Sequence, residues 1–388
     1  MKVFMLWTYY PDYLDYFYKN NEDLAGLSFD NHRQKIFDDC FGWPAALAAY
    51  MNDNGYDVEF VIENNETLQK KWAKENDIGN INGSSWREKI VLSQIKKHQP
   101  DLLLIPNPTN DHYRYIDGAH GDYERLAFYL GHDISNTKLI NRADMLFTSA
   151  RAFVKKEYPE IDNLYDLGVF FPDKILDKTV SIGKIHDVVF AGSISSEHHR
   201  RAEILSYLIE NGVDLKVYSQ LPNIGFSSQL RKIVGDAVKR RDFKKVLIGL
   251  KSLLFPSDFH RNIRILSKVC MPPVYGIDFY QCLASARICL NIHIDLATDF
   301  SGNMRMYECT GVGACMVTDK KITNSELFDI NNEIIEFSSK EHLLHILRNA
   351  ELDQYADVAK IAKQGQLKTL SRYRVSRSLD SLNIILEQ

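Results

Sequence analysis

The sequence predicts an α/β protein built from two doubly wound units. Its 388 residues exceed one ordinary hydrophobic core and fit two domains. Short apolar runs alternate with helical patterns, which is typical of parallel sheets covered by helices on both faces. The same order repeats after a break near residues 172–184. We therefore expect domains at 1–175 and 176–370, followed by a helix at 371–388 that crosses back to the first domain.

The first half contains four apolar runs short enough to be strands, and three helical patterns. Gly55 and Pro100 end two of the helices, because neither residue continues a helix well. The predicted strands are Val3–Trp7, Tyr56–Ile62, Asp101–Ile105 and Met145–Thr148. The predicted helices are Phe41–Asn54, Trp86–His98 and Tyr123–Leu130.

The second half repeats this pattern and ends in a helical tail, predicted at 359–387. Its strands are predicted at Asp187–Ala191, Leu215–Tyr218, Ile288–Ile292, Ala314–Thr318 and Ile334–Phe337, with a helix at His198–Asn211. Doubly wound folds bind ligands at the carboxyl ends of their strands. The sequence therefore predicts a ligand site in a cleft between the two units.

The composition is that of a soluble globular protein, with 45% hydrophobic and 25% charged residues. The net charge of −4 gives no argument for nucleic acid as a partner. No apolar segment is long enough to span a membrane, and the apolar start lacks the length of a signal peptide. We therefore expect a cytoplasmic protein. Its six cysteines form no CxxC pair, which favours reduced thiols over a zinc site or a disulfide framework.

One segment, residues 229–268, is rich in lysine and arginine and poor in acids. Within it, Arg240–Phe255 has the pattern of a basic amphipathic helix. One interpretation is peripheral contact with an anionic membrane surface or a lipid-linked acceptor. The other is a solvated helix that covers the sheet.

The most informative stretch runs from Ser301 to Asp319. It predicts a loop, a short helix holding Asn303, Arg305 and Glu308, a glycine turn and a buried strand. Arg305 and Glu308 are three residues apart and share a helix face. The helix N-terminus suits a phosphate, the arginine a diphosphate and the carboxylate ribose hydroxyls. The alternative is a surface ion pair followed by a glycine C-cap.

This stretch resembles the donor-binding domain of GT-B glycosyltransferases, specifically the CgeB-like and group 1 families. The matching residues are Asp299, Asn303, Arg305, Glu308, Gly311, Gly313, Ala314 and Thr318-Asp319. Two further landmarks occur in the same order, over about residues 185–375. They are Val189–Ser193 with His198–Arg201, and Pro273–Tyr280 leading to Leu290–His293.

The resemblance implies a GT-B fold, in which two Rossmann-like domains face a cleft, and a nucleotide-sugar donor in the C-terminal domain. It implies that Glu308 binds the ribose and Arg305 the diphosphate, with Gly192 and Ser193 near the phosphates beside Arg200. It places Tyr275, Asp278 and Tyr280 on the base side, and His293 and Asp299 on the sugar side. Many retaining members carry an acid eight positions before this glutamate, where Phe300 stands here, so the retaining label does not carry over.

The N-terminal half is where the acceptor is expected to bind. If the reaction inverts, a carboxylate or histidine must take the proton of the acceptor hydroxyl. Asp30 and His32 are the candidates for this catalytic base, with Asp39 behind them; the alternative is an acidic first turn of a helix. Further candidate contacts are His112, His120 and the tyrosines of residues 9–18.

We therefore expect a glycosyltransferase, of hexosyl type, that moves a sugar from a nucleotide-sugar to a glycan or lipid-linked acceptor in cell-surface polysaccharide or glycoconjugate synthesis. No D-x-D pair follows a strand, so we expect no metal and no other cofactor, with arginines compensating the diphosphate charge. Two alternatives stay open: a nucleotide-sugar epimerase or hydrolase on the same fold, and a non-catalytic nucleotide-sugar-binding module.

Overall fold

The computed structural model describes residues 1–388 except 80, 82, 84, 132–136, 196, 224–257, 296–298, 352–354, 378–381 and 383–388. The chain forms two compact units. The first contains Met1–Val180, Tyr275–Tyr280 and Lys368–Gln388, and the second contains Ser181–Val274 and Gln281–Leu367. None of the described helices is both long and apolar enough to cross a membrane. The core of the basic segment, residues 240–255, lies outside the described residues.

The first unit is built on a parallel sheet of six strands in the order β2-β1-β3-β4-β5-β6. Val3 pairs with Val58 on one side and with Leu102 on the other, which places β1 inside the sheet. The strands are β1 (Lys2–Trp7), β2 (Asp57–Ile62), β3 (Leu102–Pro106), β4 (Arg125–Leu130), β5 (Met145–Thr148) and β6 (Leu164–Asp166).

Helices connect these strands, as parallel pairing requires. Ser28 and Asn65 cap two of them by accepting from the backbone N–H of Asn31 and Leu68. The helices are α1 (Pro11–Asn20), α2 (Phe29–Asp38), α3 (Pro44–Asp53), α4 (Glu66–Glu75), α5 (Trp86–His98), α6 (Tyr113–Gly118), α7 (Thr137–Ile140), α8 (Arg151–Glu157) and α9 (Lys174–Thr179).

The second unit repeats the architecture, with six parallel strands in the order β12-β11-β10-β7-β8-β9. They are β7 (His186–Ala191), β8 (Leu215–Tyr218), β9 (Cys270–Met271), β10 (Ala286–Asn291), β11 (Cys315–Asp319) and β12 (Ile335–Phe337). The helices are α10 (His199–Glu210), α11 (Asp258–Leu266), α12 (Gly276–Ala284), α13 (Met304–Gly311), α14 (Asn324–Leu327), α15 (Lys340–Glu351) and α16 (Tyr355–Arg372). The first residues of α12 and the last of α16 belong to the first unit.

Each unit has its own apolar core between sheet and helices. In the first, Phe4, Leu103 and Phe128 are fully buried. In the second, Val217 and Leu205 are fully buried as well. Each such side chain stabilises the fold by about 1.5–3 kcal/mol relative to exposure. The prediction of two doubly wound α/β units is confirmed.

Two predicted elements are wrong. The sequence predicts a helix at residues 123–130, but Arg125–Leu130 is strand β4. A short apolar run is compatible with a strand or a helix, and here the pairing with β3 and β5 makes it a strand. The tail is not helical throughout. It breaks after Arg372, where the carbonyl of Tyr373 accepts a hydrogen bond from the N–H of Phe171.

Candidate functional site

The carboxyl ends of three adjacent strands in the second unit bring most predicted donor residues together. Gly192 follows β7, His293 follows β10 and Asp319 ends β11. The chain leaves β7 for β8 on one side and returns to β10 on the other, so β7 and β10 flank the point where the strand order reverses. Ligands of doubly wound folds bind at such a point.

Helix α13 is fixed to the ends of these strands by Asn303. The side-chain amides of Asn303 and Asn291 donate to each other's oxygens over 2.8 and 3.2 Å, and Asn291 also donates to Thr318 Oγ1 over 3.1 Å. These hydrogen bonds hold the start of α13 against the end of β10. The N-cap residue Asn303 makes no side-chain cap hydrogen bond to α13, and the first turn of this helix contains no acid. The start of α13 thus offers backbone N–H groups that favour an anion.

Arg305 and Glu308 form the predicted pair on one face of α13. Arg305 Nη1 lies 3.0 Å from Glu308 Oε2, and the two side chains are 19% and 11% exposed. Gly192 lies against this arginine, since a Cβ placed on the glycine would be 3.7 Å from Arg305 Nη2. The backbone of Gly192 and the guanidinium of Arg305 therefore lie close together. A phosphate at this position could contact both groups, because glycine lets the backbone approach a ligand closely.

A second arginine, Arg201, ties the ends of β7 and β10 together. Its Nε donates to the carbonyl of Ile292 over 2.6 Å and its Nη1 donates to the carbonyl of Ser193 over 2.9 Å. Burial, together with the positive charge of Arg305, lowers the pKa of Arg201 to about 10. Arg201 was not predicted as a site residue, although the run His198–Arg201 contained the signal.

Asp319 is a buried carboxylate that contacts two predicted donor residues. Its Oδ1 accepts from the backbone N–H of His293 over 3.0 Å and lies 2.7 Å from the ring Nδ1. Its Oδ2 lies 3.1 Å from Arg200 Nη1 and 3.5 Å from Lys321 Nζ. Burial alone would raise the pKa of Asp319, but the hydrogen bonds from His293 and the charge of Lys321 lower it to about 2. The group is therefore ionised at neutral pH.

The described side chains at this edge of the sheet carry more positive than negative charges. Asp295 accepts from the backbone N–H of His199 over 2.8 Å, so the N-terminus of α10 is already capped. The start of α13 is the better anion position. The described charged side chains around these strand ends are cationic Arg200, Arg201, Arg305 and Lys321, and acidic Asp295, Glu308 and Asp319.

The other predicted donor residues lie elsewhere. Asp299 is exposed, and its carbonyl accepts from the N–H of Ile322 over 3.0 Å. Tyr275, Asp278 and Tyr280 belong to the first unit. Asp278 is exposed and accepts from Tyr16 over 2.5 Å, whereas Tyr280 is 1% exposed. Their roles beside the base and the sugar stay predictions.

The two candidate bases of the first unit lie apart. Asp30 is exposed on α2, where it pairs with Arg33 at 2.9 Å. His32 is fully buried, and its Nε2 lies 3.1 Å from the hydroxyl of Tyr18. Burial lowers the pKa of His32 to about 4. The structure does not bring the two side chains together, and the catalytic base stays a prediction.

His112 and His120 differ in their surroundings. The Nδ1 of His112 accepts from the N–H of Thr109 over 2.9 Å, and its Nε2 lies 3.7 Å from the buried carboxylate of Glu63. Thr8 Oγ1 donates to the same carboxylate over 2.6 Å. Both ring nitrogens of His112 are thus engaged within the protein, which is typical of a structural histidine. His120 is exposed.

Asp39 holds the start of α12 within the first unit. Its Oδ1 accepts from the backbone N–H of Ile277 over 3.2 Å. Burial raises the pKa of Asp39 to about 6, and the nearby negative charge of Asp278 acts in the same direction. The carboxyl therefore titrates closer to neutrality than an ordinary aspartate.

Replacing Asp39 with asparagine is expected to remove a pH dependence of stability. The folded pKa of about 6 lies above the unfolded value of 3.8, so the folded state holds the proton more tightly. This contribution is fully present below pH 4 and is lost as the pH rises through 6, by about 3 kcal/mol. All four tryptophans lie within residues 1–86, so their fluorescence during urea unfolding reports on the first unit. Equal pH profiles for wild type and D39N would contradict the expectation.

The part of the chain that the structure describes contains no group of three or more His, Cys, Asp or Glu side chains arranged to hold a metal ion. The six cysteines are free thiols, and four of them are buried.

Comparison with known proteins places the site in a family context. Residues 233–383 match the family model described as Glycosyl transferase-like. No curated protein matches the sequence. Among solved structures, the chain is similar to Anabaena Alr3699/HepE in complex with UDP and glucose, with 12% identity, a TM-score of 0.58, and coverage of 100% of this chain and 99% of that one.

Two further solved structures have the same architecture. One is a glycosyltransferase from Rickettsia africae, with 12% identity, a TM-score of 0.54 and coverage of 100% and 98%. The other is sucrose-phosphate synthase from Thermosynechococcus elongatus, with 8% identity, a TM-score of 0.52 and the same coverage. The chain therefore has the GT-B fold. The family match makes residues 233–383 glycosyl transferase-like, which confirms the resemblance found in the sequence.

Proposed function

We propose that this protein is a glycosyltransferase that uses a nucleoside diphosphate sugar as its donor. One observation carries the proposal: Gly192, Arg305 and Glu308 meet at the carboxyl ends of the central strands of the second unit, beside Arg200 and Arg201. A close backbone approach, guanidinium groups and a carboxylate are the groups that bind a diphosphate and a ribose.

In this proposal the diphosphate lies between Gly192 and the start of α13. Arg305 and the helix dipole stabilise the negative charge that develops on the leaving diphosphate, and Glu308 accepts from the ribose hydroxyls. Arg201 keeps the ends of β7 and β10 in register for this contact. The charge compensation is supplied by arginines, which supports transfer without a metal ion and without another cofactor.

The donor we propose is a UDP-hexose. Alr3699/HepE, which has the same fold, is described in complex with UDP-glucose. The acceptor we propose is a glycan or a lipid-linked sugar, in cell-surface polysaccharide or glycoconjugate synthesis at the cytoplasmic side of a membrane. Peripheral membrane contact through residues 229–268 stays a prediction.

A nucleotide panel tests the proposed function. We expect UDP to raise the melting temperature, and UDP-glucose to release UDP only when an acceptor is present. Loss of UDP-glucose without acceptor would favour an epimerase or a hydrolase. Binding without any release, over a range of glycan and lipid-linked acceptors, would favour a binding module. No stabilisation by UDP, GDP or ADP would contradict a nucleotide site.

Replacing Gly192 with alanine is expected to weaken UDP binding without destabilising the fold. The new Cβ would lie 3.4 Å from Phe190 and 3.7 Å from Arg305 Nη2, which are ordinary contacts, so the fold should tolerate it. The methyl group would occupy the space in which we place a phosphate. We expect UDP affinity to fall by about tenfold or more, equivalent to about 1.4 kcal/mol. Calorimetric titration measures this, and unchanged affinity in a stable G192A would contradict the phosphate position.

A further inference from the structure

Asp319 occupies a central position that the proposed donor contacts do not explain. It is fully buried at the end of β11, and donors approach both of its oxygens. His293 lies on one oxygen, and Arg200 and Lys321 lie on the other. One carboxylate thus contacts three side chains, which come from the loop after β10, from α10 and from the loop after β11.

The contact decides which nitrogen of His293 carries the proton. An ionised carboxylate can only accept, so the ring Nδ1 at 2.7 Å must donate to Asp319. In a neutral imidazole the other nitrogen, Nε2, then has a lone pair and acts as an acceptor. Arg200 and Lys321 lie against the other oxygen and compensate the charge of the carboxylate.

His293 Nε2 is buried and has no hydrogen-bond partner among the residues that the structure describes. His112 provides the contrast within the same chain, because both of its ring nitrogens are engaged. An unsatisfied buried acceptor costs about 1–3 kcal/mol. Nothing in the described part of the chain therefore supplies the O–H or N–H donor that this acceptor, at the carboxyl edge of the sheet, requires.

We propose that Asp319 is a positioning residue that presents His293 Nε2 as an acceptor to a hydroxyl of the donor sugar. The inference rests on the proposed function and adds specificity to it. A site built to bind a hydroxyl discriminates strongly against a ligand that lacks it. Because Nε2 is buried without a ligand, this contact requires the side chains around it to move when the sugar binds.

Only a carboxylate satisfies this arrangement. In an Asp319→Asn variant, the amide has one oxygen and one NH2 group. If the oxygen faces His293, the NH2 group faces Arg200 and Lys321, which are themselves donors. If the amide turns over, the NH2 group meets the backbone N–H of His293, and the ring must offer Nδ1 as the acceptor. Asn therefore breaks one side of the contact in either orientation.

The tautomer is tested directly by histidine side-chain nitrogen NMR on the whole protein without ligand. We expect one histidine, assigned by its loss in His293→Phe, to show a protonated Nδ1 and an unprotonated Nε2. Asp319→Asn should shift the Nδ1 and Nε2 signals, because the ring loses its hydrogen bond to a charged acceptor in either orientation of the amide. Asp187→Asn is the matched control, since Asp187 pairs with Arg287 at 2.7 Å near the amino end of β7. A proton on Nε2 in the wild type would overturn the proposal.

Hydroxyl recognition is tested by calorimetry with UDP and UDP-glucose, ADP and ADP-glucose, and GDP and GDP-glucose. We expect at least one sugar nucleotide to bind about tenfold or more tightly than its free nucleotide. His293→Phe should lose this excess while keeping the affinity for the nucleotide, and D187N should keep both. Equal affinities within every pair, or an excess retained in His293→Phe, would overturn the inference. Absence of any nucleotide binding would instead overturn the proposed function.

Discussion

Replacing Glu308 with alanine is expected to weaken UDP binding by about tenfold to a hundredfold. A hydrogen bond to a charged group contributes about 1.5–3 kcal/mol, which corresponds to this range. The substitution removes the carboxylate proposed to hold the ribose, and it leaves Arg305 without the partner that lies 3.0 Å away. The loss of the ribose contact and the loss of the Arg305 partner are both expected to weaken UDP binding. Calorimetric titration of the purified variant measures the change.

Two further variants test whether a loss of affinity in E308A comes from the carboxylate of Glu308. Glu308→Gln retains an acceptor oxygen but removes the charge, so its affinity should fall between wild type and alanine. Glu326, which is exposed on α14, is the control, and Glu326→Ala should bind UDP as the wild type does. An unchanged affinity in E308A would show that the ribose position is wrong.

Replacing Gly276 with alanine is expected to destabilise the first unit by more than about 2 kcal/mol. Its φ of +55° lies in the left-handed region, which costs about 1–2 kcal/mol for a residue with a Cβ. The added Cβ would also overlap the carboxylate of Asp39. Asp39 would have to move, and the N–H of Ile277 would lose its acceptor. Urea unfolding followed by tryptophan fluorescence measures the loss.

Gly55 supplies the matched control for Gly276. Its φ is +89°, and nothing lies within 4 Å of the position its Cβ would take. Gly55→Ala should therefore show the cost of strain alone. In an Asp39→Ala background the overlap is gone, so Gly276→Ala should cost no more than Gly55→Ala. Equal losses for the two single variants would show that the contact with Asp39 does not restrict this turn.

The alternation of elements was readable from the sequence where apolar runs were bounded by clear breaks. Strand Leu215–Tyr218 and helix Trp86–His98 were predicted with the bounds that the structure has. The sequence predicts a helix where strand β4 lies, because the apolar run of β4 has no periodicity that distinguishes a strand from a helix. Strand β6 has only three residues and was not predicted, since its pairing with β5 defines it.

The sequence predicts those parts of the site in which the contacting residues lie close together along the chain. Arg305 and Glu308 are three residues apart on one helix, so their spacing alone placed them together. The links from Arg200 and His293 to Asp319 span 119 and 26 residues, and no spacing rule reaches that far. The burial of His32, which separates it from Asp30, follows from packing around α2 and could not be read from the motif.

We propose that the second unit binds a nucleoside diphosphate through Gly192, Arg305 and Glu308. A crystal structure of the protein with the nucleoside diphosphate that stabilises it most tests this proposal directly. We expect the diphosphate beside Gly192 at the start of α13, with Glu308 within hydrogen-bond distance of the ribose hydroxyls. A nucleotide bound at any other position, with the Arg305–Glu308 pair untouched, would contradict it.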